Sequence, residues 1–199
     1  MIGELEVCHT LLGHDGKVKL LGFVNRGWMA NYDDAVRLAA ATGGTPDVSL
    51  VRRYGSRPGM VINLEQELAP ALGAFVRASL NDGSKEAYEF TEINRSLAAG
   101  LSVKGELWHR PDDTLGFAAV VNGISDAAQR YFAAGGMGIL IGDGQLPNYG
   151  PEKLAEAYYS AAVIERLTMT LDYQHVINPA YNRDRGPVSL YGVRFHLEF

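Results

Sequence analysis

Two short segments of this sequence contain the residues best suited to chemistry. The segment RPDDT places Arg110, Asp112 and Asp113 close behind Trp108. A pair of carboxylates at this spacing could supply the acid and the base of glycoside cleavage. Pro and Asp together are also typical of a surface turn, because both residues favour turn conformations. We expect a turn here and keep the carboxylate pair as the alternative.

The second segment, GGMGILIGDG at 135–144, has the glycine density of a phosphate-binding loop. It lacks the G-x-x-x-x-G-K-[ST] spacing and no Lys follows it, so a tight loop with unusual backbone angles is the stronger interpretation. The five histidines have no metal-ligand spacing, no G-x-S-x-G motif occurs, and Cys8 has no evident His partner. The sequence therefore predicts no catalysis, no metal and no cofactor.

Polar side chains recur instead at every second position of otherwise apolar segments. In LTMTLDYQ at 167–174, apolar residues alternate with Thr, Asp and Gln. A period of two is typical of a β-strand, whose successive side chains point to opposite faces. The same alternation occurs in KLAEAYYSAAV, TLGFAAVVNG, LAAGLSVKG, LGAFVRASLN, GMVINLEQE and VSLYGVRFHLEF, with less certain registers in GELEVCHTLL and KVKLLGFVN. We therefore predict a single all-β domain over 1–199, with about nine antiparallel strands of about ten residues.

The predicted connections between the strands are of two kinds. Short links are expected around Asn81 and Asp82 and at Glu165–Arg166, whereas GGTPDVSLVRRYGSRPG and GGMGILIGDGQLPNYGPE predict long loops. Two segments favour short helical turns within loops: YDDAVRLAAATGG, with an acidic start near Asp33, and SDAAQRYFAAGG, with Ser125 as the predicted N-cap. Short turns on one side of a sheet and long loops on the other are typical of outer-membrane barrels.

Composition restricts the class of protein without separating a cytosolic protein from an envelope protein. The chain has 199 residues and a net charge of -5, which argues against nucleic acid as a partner. A hydrophobic fraction of 47% and a mean hydropathy of -0.07 fit a soluble protein and a transmembrane barrel equally well. No run of about 18 apolar residues offers a membrane-spanning helix. The N-terminal residues lack the features of a signal peptide.

Three features of the alternating segments favour a membrane barrel over a soluble sandwich or barrel. Charged residues lie in mid-strand on the polar face, as they do around a wet lumen. The apolar face contains many Ala residues, which a lipid-facing wall tolerates better than a packed core does. Aromatic residues near the predicted strand ends fit the girdles at the two membrane interfaces. These aromatic residues are Tyr32, Trp108, Tyr149, Tyr158, Tyr159, Tyr191, Phe195 and Phe199.

The predicted polar face supplies a set of candidate pore-lining residues. Opposed acids and bases around a pore favour uncharged, dipolar solutes and discourage ions. For each residue the alternative is that it only solvates the lumen and pairs with a neighbour. Glu65, Arg77 and Arg194 are the strongest candidates because they lie in or near mid-strand. The full set is Asn63, Glu65, Arg77, Lys104, Asn122, Glu156, Asp172, Gln174, Arg194 and His196.

The sequence resembles the C-terminal half of the carbohydrate-selective porin family (the OprB type) of bacterial outer membranes. The resemblance covers essentially the whole chain and is carried by GFVNRG at 22–27, NLEQEL at 63–68, LGAFVRAS at 72–79 and WHRPDDTLGFA at 108–118. Its most specific part runs from YFAAGGMGILIGDGQLPNYGPE through AYYS and LDYQHVINPAYNRDRGPV to the final Phe199.

The resemblance implies a sixteen-stranded transmembrane barrel in the lipid of the outer membrane, through which small sugars diffuse passively. It also implies a homotrimer, and a final Phe resembles the signal that the barrel-assembly machinery reads. The chain is about half the family's usual length, whereas bacterial barrels use an even number of strands and leave no open edge. A truncated, non-conducting porin fragment is therefore one alternative function, and an outer-membrane barrel enzyme or adhesin is another.

Overall fold

The computed structural model describes residues 1–87, 92–139, 141 and 146–199. Within this part of the chain, nine antiparallel strands form one sheet in which each strand pairs with its neighbours in sequence. The all-β prediction is therefore confirmed. The strands are β1 Ile2–Leu11, β2 His14–Met29, β3 Arg53–Ala69, β4 Leu72–Asn81, β5 Arg95–Lys104, β6 Thr114–Gly123, β7 Glu152–Ile164, β8 Leu167–Ile177 and β9 Val188–Leu197.

The connections define a turn side and a loop side of the sheet. On the turn side, two-residue links join β1 to β2, β3 to β4 and β7 to β8, and residues 105–113 join β5 to β6. The loop side holds the connections 30–52, 82–94, 124–151 and 178–187. The expectation of a short link around Asn81 and Asp82 is wrong. Asp82 accepts a hydrogen bond from the Ser84 N–H at 3.0 Å, and this turn opens a long connection instead of closing a hairpin.

The register of the strands gives the sheet an apolar face and a polar face. Direct cross-strand partners share a face: Leu64 pairs with Val18 and with Val76, and Val76 pairs with Ala99. Large side chains on this apolar face are exposed, with Phe195 at 66%. A contiguous apolar surface of this extent marks a contact site for a membrane or for another protein. The polar face is concave, since a single cleft on it is lined by residues from β1 to β7.

The closely packed core lies in the loop-side connections. Helix α1 (Tyr32–Thr42) packs against helix α2 (Asp126–Ala133), and the Tyr32 ring lies 4.9 Å from the Tyr131 ring between centroids. Arg130 donates to the Asp33 carboxylate at 2.8 Å. We call the two helices and the buried residues around them the loop-side cap. Its buried residues are Tyr32, Ala35, Ile124, Ala127, Ala128, Tyr131, Phe132, Ile141, Leu146 and Tyr181.

Both predicted helices are present, and each has a recognisable start. The Asn31 side chain caps α1 by accepting from the Asp33 N–H at 3.0 Å, so the cap precedes the acidic residues. Ser125 caps α2, as predicted, and accepts from the Ala128 N–H at 3.0 Å. Gly43, with φ of 74°, ends α1 in a left-handed conformation that favours glycine. No helix in the described residues is long and apolar enough to cross a membrane.

The strand ends shift along the hydrogen-bonded rows of the sheet between β2 and β7. One row, which serves as a reference, consists of Lys17, Glu65, Phe75, Gly100, Ala118 and Glu156, on β2 to β7. Toward the loop side, β2 continues twelve residues past this row to Met29, whereas β7 continues only four to Glu152. Toward the turn side, β2 continues three residues to His14 and β7 eight to Ile164. The strands are therefore tilted relative to these rows, and a line across the strand ends shifts by one to two residues per strand, as in barrels.

Candidate functional site

The ten predicted pore-lining residues all take positions on the polar face. The main cleft on this face has a volume of about 900 Å³ and is bounded by Lys17, Glu65, Phe75, Arg77 and Tyr158, among others. This volume is in the range of small-molecule sites. The structure thus brings Glu65 and Arg77 together in one cleft, and their contact with a solute stays a prediction.

A polar chain crosses the cleft from β2 to β4. The Lys17 Nζ lies 3.0 Å from the Glu65 carboxylate. Asn63 Nδ2 donates to Glu65 at 2.7 Å, and Arg77 Nε donates to Asn63 Oδ1 at 3.2 Å. The Lys17 and Glu65 side chains are 37% and 40% exposed, so their ion pair contributes little to stability, whereas Asn63 between Glu65 and Arg77 is buried. Their mutual hydrogen bonds instead hold the polar groups at fixed positions along the wall.

A second polar cluster lies on β7 and β8. Gln174 Nε2 donates to Glu156 at 3.2 Å and to Asp172 at 3.1 Å. The other Asp172 oxygen, Oδ1, is buried and accepts no hydrogen bond from any described residue. Glu156, Asp172 and Gln174 line a second cleft, with a volume of about 380 Å³. Tyr158 of β7 and Arg194 of β9 line this cleft too. The cluster therefore joins four of the predicted residues and offers acceptors to hydroxyl donors.

The remaining predicted residues stand apart from these two clusters. Asn122 Oδ1 accepts from the Ser96 hydroxyl at 2.8 Å. His196 Nε2 lies 3.3 Å from Glu198, near the C-terminus. Lys104 ends β5 on the turn side, where its ammonium group makes no ion pair or side-chain hydrogen bond with the described residues. These three residues line neither of the two clefts described above.

Aromatic rings on the polar face lie over glycines of the neighbouring strand. Phe75 is the direct cross-strand partner of Gly100, and Tyr158 that of Gly116. A side-chain carbon on either glycine would occupy space that the ring fills. The glycines thus let the half-buried rings rest against the wall, with their other side toward the cleft. Phe23 and Gly59 form a third pair of this kind.

Sequence reasoning missed Phe75 and Phe23 as candidate site residues. The signal that could have found them is a glycine paired with an aromatic residue on the polar face. Reading that signal requires the register between two strands, and Phe23 and Gly59 are separated by a long loop-side connection.

The predicted aromatic girdle is wrong for three residues. Tyr32 is only 3% exposed and lies in the loop-side cap. Tyr149 packs against the cap and stacks on Tyr181, and Tyr158 lies on the polar face. A position near a strand end in the sequence does not distinguish an aromatic side chain at a membrane interface from one that is buried beneath a loop. The exposed loop-side pair Trp28 and Tyr54, cross-strand partners on the apolar face, was missed.

The segment RPDDT forms the expected turn, and Asp113 anchors it. Although almost fully buried, the Asp113 carboxylate accepts from the Arg110 guanidinium, from the Tyr159 hydroxyl, and from the Ala162 N–H at 2.9 Å. The hydrogen bonds from Arg110, helped by the one from Tyr159, lower the pKa of Asp113 to about 2. A carboxylate that stays ionised at neutral pH cannot serve as a general acid. This geometry argues against the carboxylate pair with Asp112.

Other chemistry has little support in the described residues. They contain no group of three or more His, Cys, Asp or Glu side chains arranged to hold a metal ion. Cys8 is exposed on the polar face. Positions 140 and 142–144 of the glycine-rich segment lie outside the described residues.

Comparisons with known proteins agree with the geometry. The chain matches the family described as carbohydrate-selective porin, OprB family, over residues 1–199. The high-pH structure of Pseudomonas putida OprB is similar, with a TM-score of 0.78 at 20% sequence identity; the match covers 100% of this chain and 48% of that one. This chain thus spans about half the length of that protein. None of the curated proteins matches.

Proposed function

Because the chain belongs to the carbohydrate-selective porin (OprB) family of the bacterial outer membrane, we propose that its polar face lines a water-filled pathway for small carbohydrates. Sugars diffuse along this face passively, without a catalytic step and without a cofactor. The nine described strands form one continuous part of a larger porin barrel, and further strands complete the wall.

The observation that carries the proposal is the pairing of aromatic rings with hydrogen-bonding groups in one cleft. A pyranose ring has apolar faces and a rim of hydroxyl groups. Phe75 and Tyr158 rest against the wall, where each can stack on a sugar face. Glu65 and Arg77 line the same cleft and can bond hydroxyls. The cleft therefore combines both kinds of contact that a sugar needs.

The charges on the polar face support an uncharged solute. Lys17 lies opposite Glu65, and Arg194 lines the cleft that holds Glu156 and Asp172. A wall that presents both signs at close spacing orients dipolar molecules and gives no net attraction to one sign of ion. Neutral sugars fit this pattern better than sugar acids or sugar phosphates do.

Two protein partners belong to the proposal. Copies of the chain associate in the outer membrane as a homotrimer, as the family resemblance implies. Phe199, which is fully exposed at the C-terminus, is available to the barrel-assembly machinery.

The test is single-channel conductance in a planar bilayer, with the refolded chain and added glucose or maltose-type sugars. We expect discrete conductance steps that sugar blocks reversibly. Replacing both rings, F75A with Y158A, should weaken the block by about twofold to tenfold per ring, since a ring stack contributes about 0.5 to 1.5 kcal/mol. Phe195→Ala is the matched control, because Phe195 is an exposed ring on the apolar face and lines neither cleft.

The alternatives give different outcomes in this experiment. If the chain is silent while a polypeptide extended at its N-terminus conducts, the chain is a non-conducting fragment of a sugar porin. Steps that no sugar blocks would contradict the carbohydrate proposal. Chemical change of the sugar during the measurement would favour an outer-membrane enzyme.

A further inference from the structure

The two faces of the sheet differ in the sign of the charge they carry. Every Asp and Glu of the nine described strands takes a polar-face position. Three basic residues take apolar-face positions. Arg95 is the cross-strand partner of Leu80, Lys153 is the partner of Val121, and Arg26 alternates with Val24 and Trp28 along β2. The charged residues on the apolar face of the strands are therefore all basic.

The three basic residues lie at one level of the tilted wall. Arg26 on β2, Arg95 on β5 and Lys153 on β7 lie nine, five and three residues from the reference row, all toward the loop side. This shift of six residues over five strands lies between the shifts of the strand ends, which are five residues on the turn side and eight on the loop side. Three residues from separate strands thus form a ring segment near the loop-side ends of their strands.

The basic groups at this level are exposed and unpaired. Arg26, Arg95 and Lys153 are all exposed, and none of them forms an ion pair or a side-chain hydrogen bond with a described residue. Arg130 of the loop-side cap behaves differently, since its guanidinium lies 2.8 Å from the Asp33 carboxylate. Arg95 packs over Gly123, but no carboxylate of the described residues pairs with any of the three positive charges.

Aromatic residues place this level at a membrane interface. Trp28 and Tyr54 are cross-strand partners on the apolar face and are 66% and 65% exposed. Trp28 lies two residues beyond Arg26 on the same face. Tyr and Trp rings on the outside of membrane proteins lie at the depth of the lipid headgroups. A long basic side chain at that depth extends its charge toward the polar layer, because a charge in hydrocarbon is unfavourable.

We propose that Arg26, Arg95 and Lys153 form a binding level for phosphate-bearing lipid headgroups on the loop side of the membrane. Phosphate is the lipid group that complements three unpaired cations on a face without carboxylates. The proposal requires that the apolar face contacts lipid, and it is independent of sugar passage.

The test uses the two tryptophans as reporters of nearby lipid. Trp108→Phe leaves Trp28 on the loop side, and Trp28→Phe leaves Trp108 on the turn side. Each variant is inserted into phosphatidylcholine vesicles that contain brominated phosphatidic acid or brominated phosphatidylcholine, and fluorescence quenching gives the relative binding of the two lipids. At Trp28 we expect a preference for phosphatidic acid of about fivefold or more, since one basic residue near a charged lipid surface contributes about that factor. At Trp108 we expect a ratio near one.

Substitutions then test which residue provides the preference. With Trp28 as reporter, R26Q should bring the ratio close to one, while K19Q, on the polar face of the same strand, should leave it unchanged. High salt should also reduce the preference. Because both lipids are compared on vesicle-bound protein only, a lower yield of insertion does not alter the ratio. Equal quenching by the two lipids at Trp28, or a preference that survives R26Q, overturns the proposal.

Discussion

Replacing Gly116 by Ala should displace Tyr158 from its place on the wall and weaken sugar binding while the sheet stays intact. The three atoms nearest to a new methyl group all belong to the Tyr158 ring, so the side chain has to move and the backbone does not. Gly73 provides the control. It lies in the same row of the polar face, joined to Gly116 through Ser102, and a methyl group on it has no neighbour within 4 Å.

The size of the effect on sugar affinity follows from the stacking contact that is lost when the Tyr158 ring moves. Stacking of an aromatic ring contributes about 0.5 to 1.5 kcal/mol, which corresponds to roughly twofold to tenfold in affinity. Forcing a methyl group into a filled space destabilises a protein by about 1 to 3 kcal/mol when nothing can yield. Here the ring borders a cleft of about 900 Å³ into which it can turn, so we expect the lower end of that range for stability.

The assay is the sugar concentration that half-blocks the conductance in a planar bilayer. G116A should raise this concentration by about twofold to tenfold, and G73A should leave it nearly unchanged. Y158A should match G116A, and the double variant should add nothing, because both changes remove the same contact. Equal behaviour of G116A and G73A would refute the role of the ring, as would full additivity in the double variant.

Three further predictions concern the turn, the cap and the charges. The pKa of Asp113 in the folded state is about 2, below the ordinary value of 3.8, so its carboxylate stabilises the fold above about pH 4 and loses this effect as the pH falls toward 2. The melting temperature of the wild type should therefore fall as the pH drops from about 4 to 2. D113N should be less stable at pH 7 and should lack this part of the acid transition. If D113N and the wild type show the same dependence of melting temperature on pH, the role assigned to Asp113 is wrong. S125A should destabilise the loop-side cap by about 1 kcal/mol, because it removes the N-cap of α2. Amide hydrogen exchange should become faster in residues 126–133 and stay unchanged in the strands. Equal acceleration in the helix and in the strands would show that the substitution destabilises the whole fold instead. E65Q combined with E156Q should shift the reversal potential in a salt gradient toward anion selectivity, because it removes two carboxylates from the polar face, and an unchanged potential would place them outside the pathway.

The faces of the strands could be predicted from the sequence because alternation is a local property. In β8, Leu171 and Asp172 fall on opposite faces whatever the neighbouring strands do. The turn at Asp82 could not be assigned in the same way, since Asp favours a tight hairpin and the start of a long loop alike. The position of Tyr32 depends on the packing of α1 against α2, and the Phe75–Gly100 pair depends on register. Both depend on tertiary contacts, which cannot be predicted from the residues of a single strand.

The location of the packed core has a consequence for the response to temperature. Unfolding the loop-side cap exposes apolar side chains such as Phe132 to water, and that exposure gives unfolding a positive heat-capacity change. In the proposed porin the apolar face of the sheet contacts lipid, so it contributes little to this heat-capacity change. Hydrophobic stabilisation weakens on cooling, so a cold membrane loosens the cap before it loosens the strands. In the proposed sugar pathway, the loop-side entrance therefore depends on temperature more steeply than the sheet beneath it.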